Sequence, residues 1–290
     1  MTKLLREVIQ NAEQNKVAVG HFNISDLIAL KAIFEAAQEL NVPVMIGTSE
    51  SEAGFLDRKE AAALIKALRE EYQFPIFLNS DHTHSLEEVK KAVAAGYDEI
   101  LFDAGKLPFE ENIQKTKEAV AYVKSVNPNI LVEGEIGYIG SASKVLTEIP
   151  EGAALRPEDF TSPEQAAQFV RETKVDLLAP AVGNIHGMLG IGKDPDLDID
   201  RIRAIRQAAG VPLVLHGGSG NKDSDFLAAI DAGVSIIHIN TEIRVAWREG
   251  LEKGLGDHPG EIAPYKVLPE AVEAVKAVVR ARLKLFNKLV

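Results

Sequence analysis

Cysteine is absent from this 290-residue chain, which excludes disulfides and any thiolate metal site. A transition metal, if one is used, must be held by histidines and carboxylates, and the composition fits a reducing cytoplasm. No apolar run approaches the roughly 18 residues needed to span a bilayer, so no membrane partner is expected. Basic residues are in deficit: 32 Lys and Arg against 43 Asp and Glu leave a formal net charge of −11. A nucleic-acid binder would show the reverse balance or a basic stripe, so no such partner is expected and the acidic excess reads as solvated surface. A signal peptide is not indicated either. Leu4, Leu5, Val8 and Ile9 recur at helical spacing between charges, the pattern of an amphipathic helix.

What the chain does contain is a rhythm. Eight short apolar runs, Val17–Phe22, Val42–Ile46, Pro75–Leu78, Glu99–Phe102, Ile130–Val132, Asp176–Ala179, Val211–Leu215 and Ser235–Ile239, alternate with longer helical patterns. Several runs are continuously apolar, as expected of parallel strands buried on both faces. Helices are predicted over Leu27–Leu40, Arg58–Tyr72, Leu86–Ala95, Glu110–Val126, Pro163–Thr173, Asp200–Ala209 and Asp223–Ala232. Ser85-Leu-Glu-Glu88 reads as a capping box, and Ser162-Pro163 as a cap with proline in the first turn. Eight strand–helix units predict an α/β fold, a (β/α)8 TIM barrel forming one domain over residues 1–290. A doubly wound sheet would require a glycine-rich turn after the first strand, where Asn-Ile-Ser-Asp stands instead. Two connections are longer than a barrel needs: Gly137–Thr161, rich in Gly, Ser and Ala and expected to be a mobile lid, and Met188–Asp198. Leu268–Leu289 is predicted to be a long amphipathic helix suited to a subunit contact.

The chemistry concentrates at one end. Of seven histidines, all but His258 fall within or just after the C-terminal end of a predicted strand, the end that carries the active site in barrels. Asp81, Asp103, Glu133, Glu135 and Asn240 join them. Asn79-Ser-Asp-His-Thr-His84, Gly183-Asn-Ile-His-Gly187 and His216-Gly-Gly-Ser-Gly220 each put a histidine at a strand mouth. Imidazoles from three strands can converge on one Zn²⁺ and leave a coordination position open for substrate. Glycines beside His186 and His216 expose backbone N–H groups that suit a phosphate, and Ser219 adds a hydroxyl.

Read in order, these motifs resemble the class II, metal-dependent fructose/tagatose-bisphosphate aldolase family almost end to end. The resemblance rests on Gly20-His-Phe-Asn23, Ser80-Asp-His82, Phe102-Asp103 with Leu107-Pro-Phe-Glu-Glu-Asn112, Val132-Glu-Gly-Glu-Ile-Gly137, His186-Gly187, Leu215-His-Gly-Gly-Ser-Gly220 and Asn240-Thr-Glu242. It implies a lyase that cleaves or forms a ketose (bis)phosphate such as fructose 1,6-bisphosphate. The products are dihydroxyacetone phosphate and an aldehyde, glyceraldehyde 3-phosphate, by way of a zinc-stabilised enediolate. By position, His82, His186 and His216 match the zinc ligands, and Asp103 and Glu135 match carboxylates for a second divalent or monovalent cation or an alternative metal position. Asp81 matches the catalytic acid/base. Gly187, Gly217 and Ser219 match the dihydroxyacetone-phosphate site, closed by Asn240 and Thr241, with Asn23 and Ser49 near the substrate. Glu148, with Glu151 behind it, is the candidate on the strand-five loop to protonate the enediolate carbon. The resemblance further implies a small phosphorylated sugar as partner, a homo-oligomer (dimer or tetramer) and a cytoplasmic location.

The chain also departs from the family pattern. His238 stands where the family has Asn, Asn184-Ile185 replaces Gly-Thr or Thr-Ala type residues, His84 is an added imidazole, and Ala104-Gly105 replaces Gly-Ser. These changes surround the substrate, so either His238 takes the related hydrogen-bonding role in catalysis or the substrate is a different phosphorylated sugar. Two other classes also stay open: a metal-dependent barrel hydrolase, for which His82-Thr-His84 weakly mimics the His-X-His pair, and a non-catalytic phosphosugar-binding protein.

Overall fold

The computed structural model describes residues 4–140, 143–148, 150–154, 156–190 and 195–289. Eight parallel strands close into a barrel: β1 (Val19–Asn23), β2 (Val44–Ser49), β3 (Ile76–Thr83), β4 (Glu99–Phe102), β5 (Leu131–Ile136), β6 (Leu177–Pro180), β7 (Leu213–Leu215) and β8 (Val234–Ile239). Closure is the β1–β8 pairing, which sets His21 directly beside His238. Helices wrap the outside, and no helix among the described residues is long and apolar enough to cross a membrane.

Every expected strand forms, but several extend further toward the C-terminal end than their apolar runs. β3 continues through Asp81, His82 and Thr83, and β5 through Glu133 and Glu135. The reason is the two-residue period of a strand. Along β1, Val19 faces the axis and Phe22 faces the helices, so His21 and Asn23 share the inner face with Val19. The inner face is layered. At the N-terminal end it is apolar: Val19, Met45, Phe77, Leu131, Leu177, Val214 and Ile236 pack together under the helix Leu5–Asn15. One layer up it turns polar, and the strands continue as polar side chains that an apolar pattern does not reveal. The larger core lies between strands and helices, around Phe22, Ile33, Ile46, Ile76, Ile100, Phe169 and Phe226.

The helices follow the predicted limits closely, several of them to the residue. Three were not foreseen: Glu50–Phe55, Thr241–Asp257 and Pro264–Val267. The two long connections meet: Val145–Leu146 pairs with Met188–Leu189 as a two-stranded parallel ribbon over the barrel mouth. The C-terminal helix forms over Pro269–Phe286. Its apolar stripe (Val272, Val275, Val279, Leu283 and Phe286) is buried on its own barrel, so that face is taken up within the chain.

Candidate active site

At the C-terminal mouth, three imidazoles converge from different strands. His82 lies on β3, His186 follows β6 and His216 follows β7. Their ring centroids are 4.7 Å (82–186), 5.0 Å (82–216) and 5.8 Å (186–216) apart. His82 reaches this place from a left-handed backbone (φ 50°), where the β3–β4 register slips between Ser80 and Thr83. A non-glycine residue held at positive φ inside a strand is a strained feature that re-aims a side chain, and such features cluster at functional sites.

The hydrogen bonds sort the ring nitrogens. His82 Nδ1 lies 2.9 Å from Asp103 Oδ2, and His216 Nε2 lies 2.8 Å from Glu133 Oε1. Their opposite nitrogens, His82 Nε2 and His216 Nδ1, are buried without a partner among the described residues, as are His186 Nε2 and Glu135 Oε2. Ligand atoms of His82, Glu135, His186 and His216 all lie within 4.8 Å of one another. Buried polar atoms are almost always paired, so a cluster of unmet ones needs an explanation. Three imidazole lone pairs and a carboxylate, with second carboxylates behind two of the rings, are the donor set of a metal site. Asp103 thus stands behind His82, outside the converging set, while Glu135 is inside it.

Electrostatics agree. Burial alone would favour neutral His82, but Asp81, Asp103 and Glu135 outweigh it and raise its pKa to about 10. The site therefore calls for positive charge. Burial holds His216 down to about 3 and, with the charge on His82, keeps His186 well below the ordinary range. Burial opposes ionisation of Asp81, yet His82 and His238 overcome it and hold the carboxyl well below the usual range.

Beneath the mouth runs a buried polar chain inside the barrel. His216 meets Glu133, whose carboxyl adjoins Glu99. Asn79 donates to Glu99 (2.8 Å) and its carbonyl lies 2.9 Å from His21 Nε2. Burial raises both glutamic acids above their ordinary range, so the pair retains a proton. His21 stacks on His238 with centroids 3.5 Å apart and planes at 7°. The stack fits only because residue 47 is glycine: a Cβ there would lie 2.3 Å from His21 Cε1. His238 Nδ1 is 3.5 Å from Asp81 Oδ1, and its Nε2 is buried without a partner among the described residues. Burial, then His21 and His216, keep the His238 imidazole neutral.

Two adjoining cavities share Asp81, His186 and Asn240. The smaller is walled also by Asn23, Gly187, His216, Gly217, Ser219, His238 and Thr241, which with the three shared residues places ten predicted site residues around one space. Gly217 holds φ 60°, and a Cβ there would lie 2.1 Å from the Ile185 carbonyl oxygen, so the backbone can come this close only as glycine. The 17-residue helix Thr241–Asp257 begins here with no side-chain cap from Asn240. Its first-turn N–H groups suit an anion, although that of Glu242 already donates to Ser219 Oγ (3.4 Å). The larger cavity, 440 Å³, is lined by Ser49, Glu50, His82, His84, Asp103, Lys144 and Arg244 among others. Glu148 and Glu151 are exposed and line neither cavity. Asn184 binds the His216 carbonyl (3.0 Å) and the Val182 N–H (2.9 Å), tying the β6 loop to β7. Sequence reasoning missed Glu52, Asn79, Glu99, Ser143 and Arg244. Asn79 stood in the polar Asn79–His84 run without a role of its own, and Glu52 left the Ser49-x-x-Glu52 capping pattern after β2.

A family model described as fructose-bisphosphate aldolase class-II matches residues 3–289. The chain belongs to the class II fructose-bisphosphate aldolase family. It is therefore an aldehyde-lyase by family. A fructose-bisphosphate aldolase from Geobacillus stearothermophilus is 33% identical over 98% of this chain and 96% of its own. One from Staphylococcus aureus is 32% identical over the same shares. Among solved structures, the YdjI aldolase from Escherichia coli K12 superposes with a TM-score of 0.82 at 30% identity, covering 99% of this chain and 97% of its own. The closed barrel is thus a class II aldolase barrel, and His82, His186 and His216 stand at its mouth.

Proposed function

We propose that this family member is a zinc-dependent aldolase that cleaves fructose 1,6-bisphosphate, or a close ketose bisphosphate, to dihydroxyacetone phosphate and an aldehyde phosphate. The observation that carries the proposal is the set of unpartnered nitrogens on His82, His186 and His216, set beside Asp81 and a glycine-walled anion pocket. A zinc ion held by these imidazoles supplies Lewis acidity that polarises a ketone carbonyl. Gly187, Gly217, Ser219 and the helix start at Asn240–Thr241 hold the phosphate of the dihydroxyacetone half. Asp81, ionised and buried, takes the C4 hydroxyl proton as the C3–C4 bond breaks and returns it in condensation. His238 directs a neutral imidazole at a substrate oxygen, and Glu148 protonates the enediolate carbon once the β5 loop has closed over the mouth. No Schiff-base lysine takes part. Asp103 and Glu133 orient His82 and His216, and Glu135 offers a further cation ligand.

His238 favours a second reading of the substrate alone. An imidazole stacked on His21 is bulkier than the asparagine of the family, so a different phosphorylated sugar fits the same chemistry. Under either reading the enzyme works in the cytoplasm as a homo-dimer or homo-tetramer, whose mass light scattering measures. The deciding experiment loads the protein with zinc and supplies dihydroxyacetone phosphate with a panel of aldehydes, reading products by mass. An aldol product that disappears with chelator and resists borohydride trapping is expected; activity that survives complete metal removal overturns the proposal.

A further inference from the structure

Glu52 is nearly buried (6% exposed) at the rim of the site, and its carboxylate accepts four hydrogen bonds. Oε2 accepts from Asn23 Nδ2 (2.8 Å), Ser49 N (2.9 Å) and Ser49 Oγ (2.8 Å), while Oε1 accepts from Arg244. Asn23 Nδ2 also donates to Asp81 Oδ2 at 2.8 Å. Both amide hydrogens of Asn23 are therefore committed, one to each carboxylate. Arg244 in turn donates to the Ser143 carbonyl on the β5 loop (2.9 Å).

The plain explanation of Glu52 is a capping box for the short helix Glu50–Phe55. The molecule contains a control. Ser162 and Gln165 form the same box on Pro163–Thr173, and there Gln165 is exposed and its carbonyl oxygen accepts only the cap bond among the described residues. Capping requires neither burial, nor a carboxylate in place of an amide, nor contact with Asn23 and Arg244.

We propose that Glu52 is a positioning residue for Asp81: anchored by Arg244 and Ser49, it fixes Asn23, and Asn23 fixes the carboxylate that exchanges the C4 hydroxyl proton. The proposal rests on the aldolase reading. An Asn23 amide without its second acceptor can rotate, and Asp81 then loses the only hydrogen bond to its Oδ2 among the described residues. A shift of about an ångström in a proton-transfer group costs on the order of 100-fold in rate.

The test compares zinc-loaded wild type, Glu52→Ala, Glu52→Gln, Asn23→Ala and the Asn23→Ala/Glu52→Ala double variant in two reactions. One is cleavage of the ketose bisphosphate. The other is exchange of the carbon-bound hydrogen of dihydroxyacetone phosphate with deuterated water, with no aldehyde present. Exchange moves a proton at carbon and does not use the C4 hydroxyl, so it bypasses Asp81. Glu52→Ala is expected to lower kcat for cleavage roughly 10- to 100-fold, with KM and the exchange rate each within about threefold and zinc content unchanged. Glu52→Gln keeps an oxygen for Asn23 and Ser49 and should lose less. Over the Asn23→Ala background, Glu52→Ala should add almost nothing. Equal loss in both reactions, no loss in either, or full additivity in the double variant overturns the inference. If Glu52→Ala does not fold, Glu52→Gln decides, because cleavage must fall while exchange holds. A wild type that catalyses neither reaction overturns the aldolase reading and this inference together.

Discussion

The two ends of the barrel obey opposite rules. At the N-terminal end the charged groups are matched: Arg69 pairs with Asp98, which also accepts from Leu78 N–H; Arg6 and Lys124 share Asp176; and Arg206 holds Glu13. Below them the interior is apolar. At the C-terminal mouth the buried groups are unmatched. Asp81 Oδ1, His82 Nε2, Glu135 Oε2, His186 Nε2, His216 Nδ1 and His238 Nε2 have no hydrogen-bond partner among the described residues. One end is built to be stable and the other to be completed by what it binds. A fold departs from polar satisfaction where chemistry requires it, and the rest of the molecule supplies the stability that the departure costs.

This contrast can be broken from the top down. His216→Ala should abolish stoichiometric zinc binding and lower aldol cleavage by at least about 10³-fold while the fold persists, measured by metal analysis, kinetics and circular dichroism. Cleavage near the wild-type rate would show that the unmatched nitrogens are not a metal site. Asp81→Asn should keep zinc and lower cleavage on the order of 10²- to 10⁴-fold, since it removes the proton acceptor and leaves the imidazoles in place. Zinc loading near pH 7 should release at least about one proton. His82, held up to about 10, is protonated at pH 7 and must lose that proton to offer Nε2, and burial also holds the Glu135 carboxyl well above its ordinary range, so it can release a second. Affinity should then rise at least about tenfold per pH unit over this range. Calorimetry in two buffers of different ionisation enthalpy reads the number directly, and zero protons would contradict the charge balance described above. At the other end, Arg69→Ala should cost about 1 kcal/mol of stability in a denaturant titration and leave kcat unaltered, since its pair is part-exposed and remote from the mouth. A large fall in kcat there would mean that the two ends are not separable.

Much of this was legible in the sequence, for particular reasons. The strands announce themselves as apolar runs because their outer faces meet helices, and the three ligand candidates announce themselves because each follows such a run. The upper strand limits are not legible. Asn79–Thr83 looks like loop, yet it is strand whose inner face has turned polar, whereas the alternation of Glu133 and Glu135 already marks a strand with a polar inner face. The Val145–Leu146 and Met188–Leu189 ribbon is two residues a side, too short to carry a period. Glu52 was hidden differently. Its local pattern duplicates that of Gln165, and only burial distinguishes a cap from a strut. The setting of His21 was hidden for the same reason. A lone histidine says nothing of the imidazole stacked on it from a strand more than 200 residues later.

Gly47 gives that stack a history. With 2.3 Å between a Cβ at residue 47 and the His21 ring, the two positions cannot both be large. Any descendant of this chain that acquires a side chain at 47 must first exchange His21 for something smaller, and His238 then loses the surface on which it lies. Geometry orders these two substitutions, 21 before 47. Relatives carrying a bulkier residue at 47 should therefore lack the imidazole pair, whereas a glycine at 47 permits the pair without requiring it.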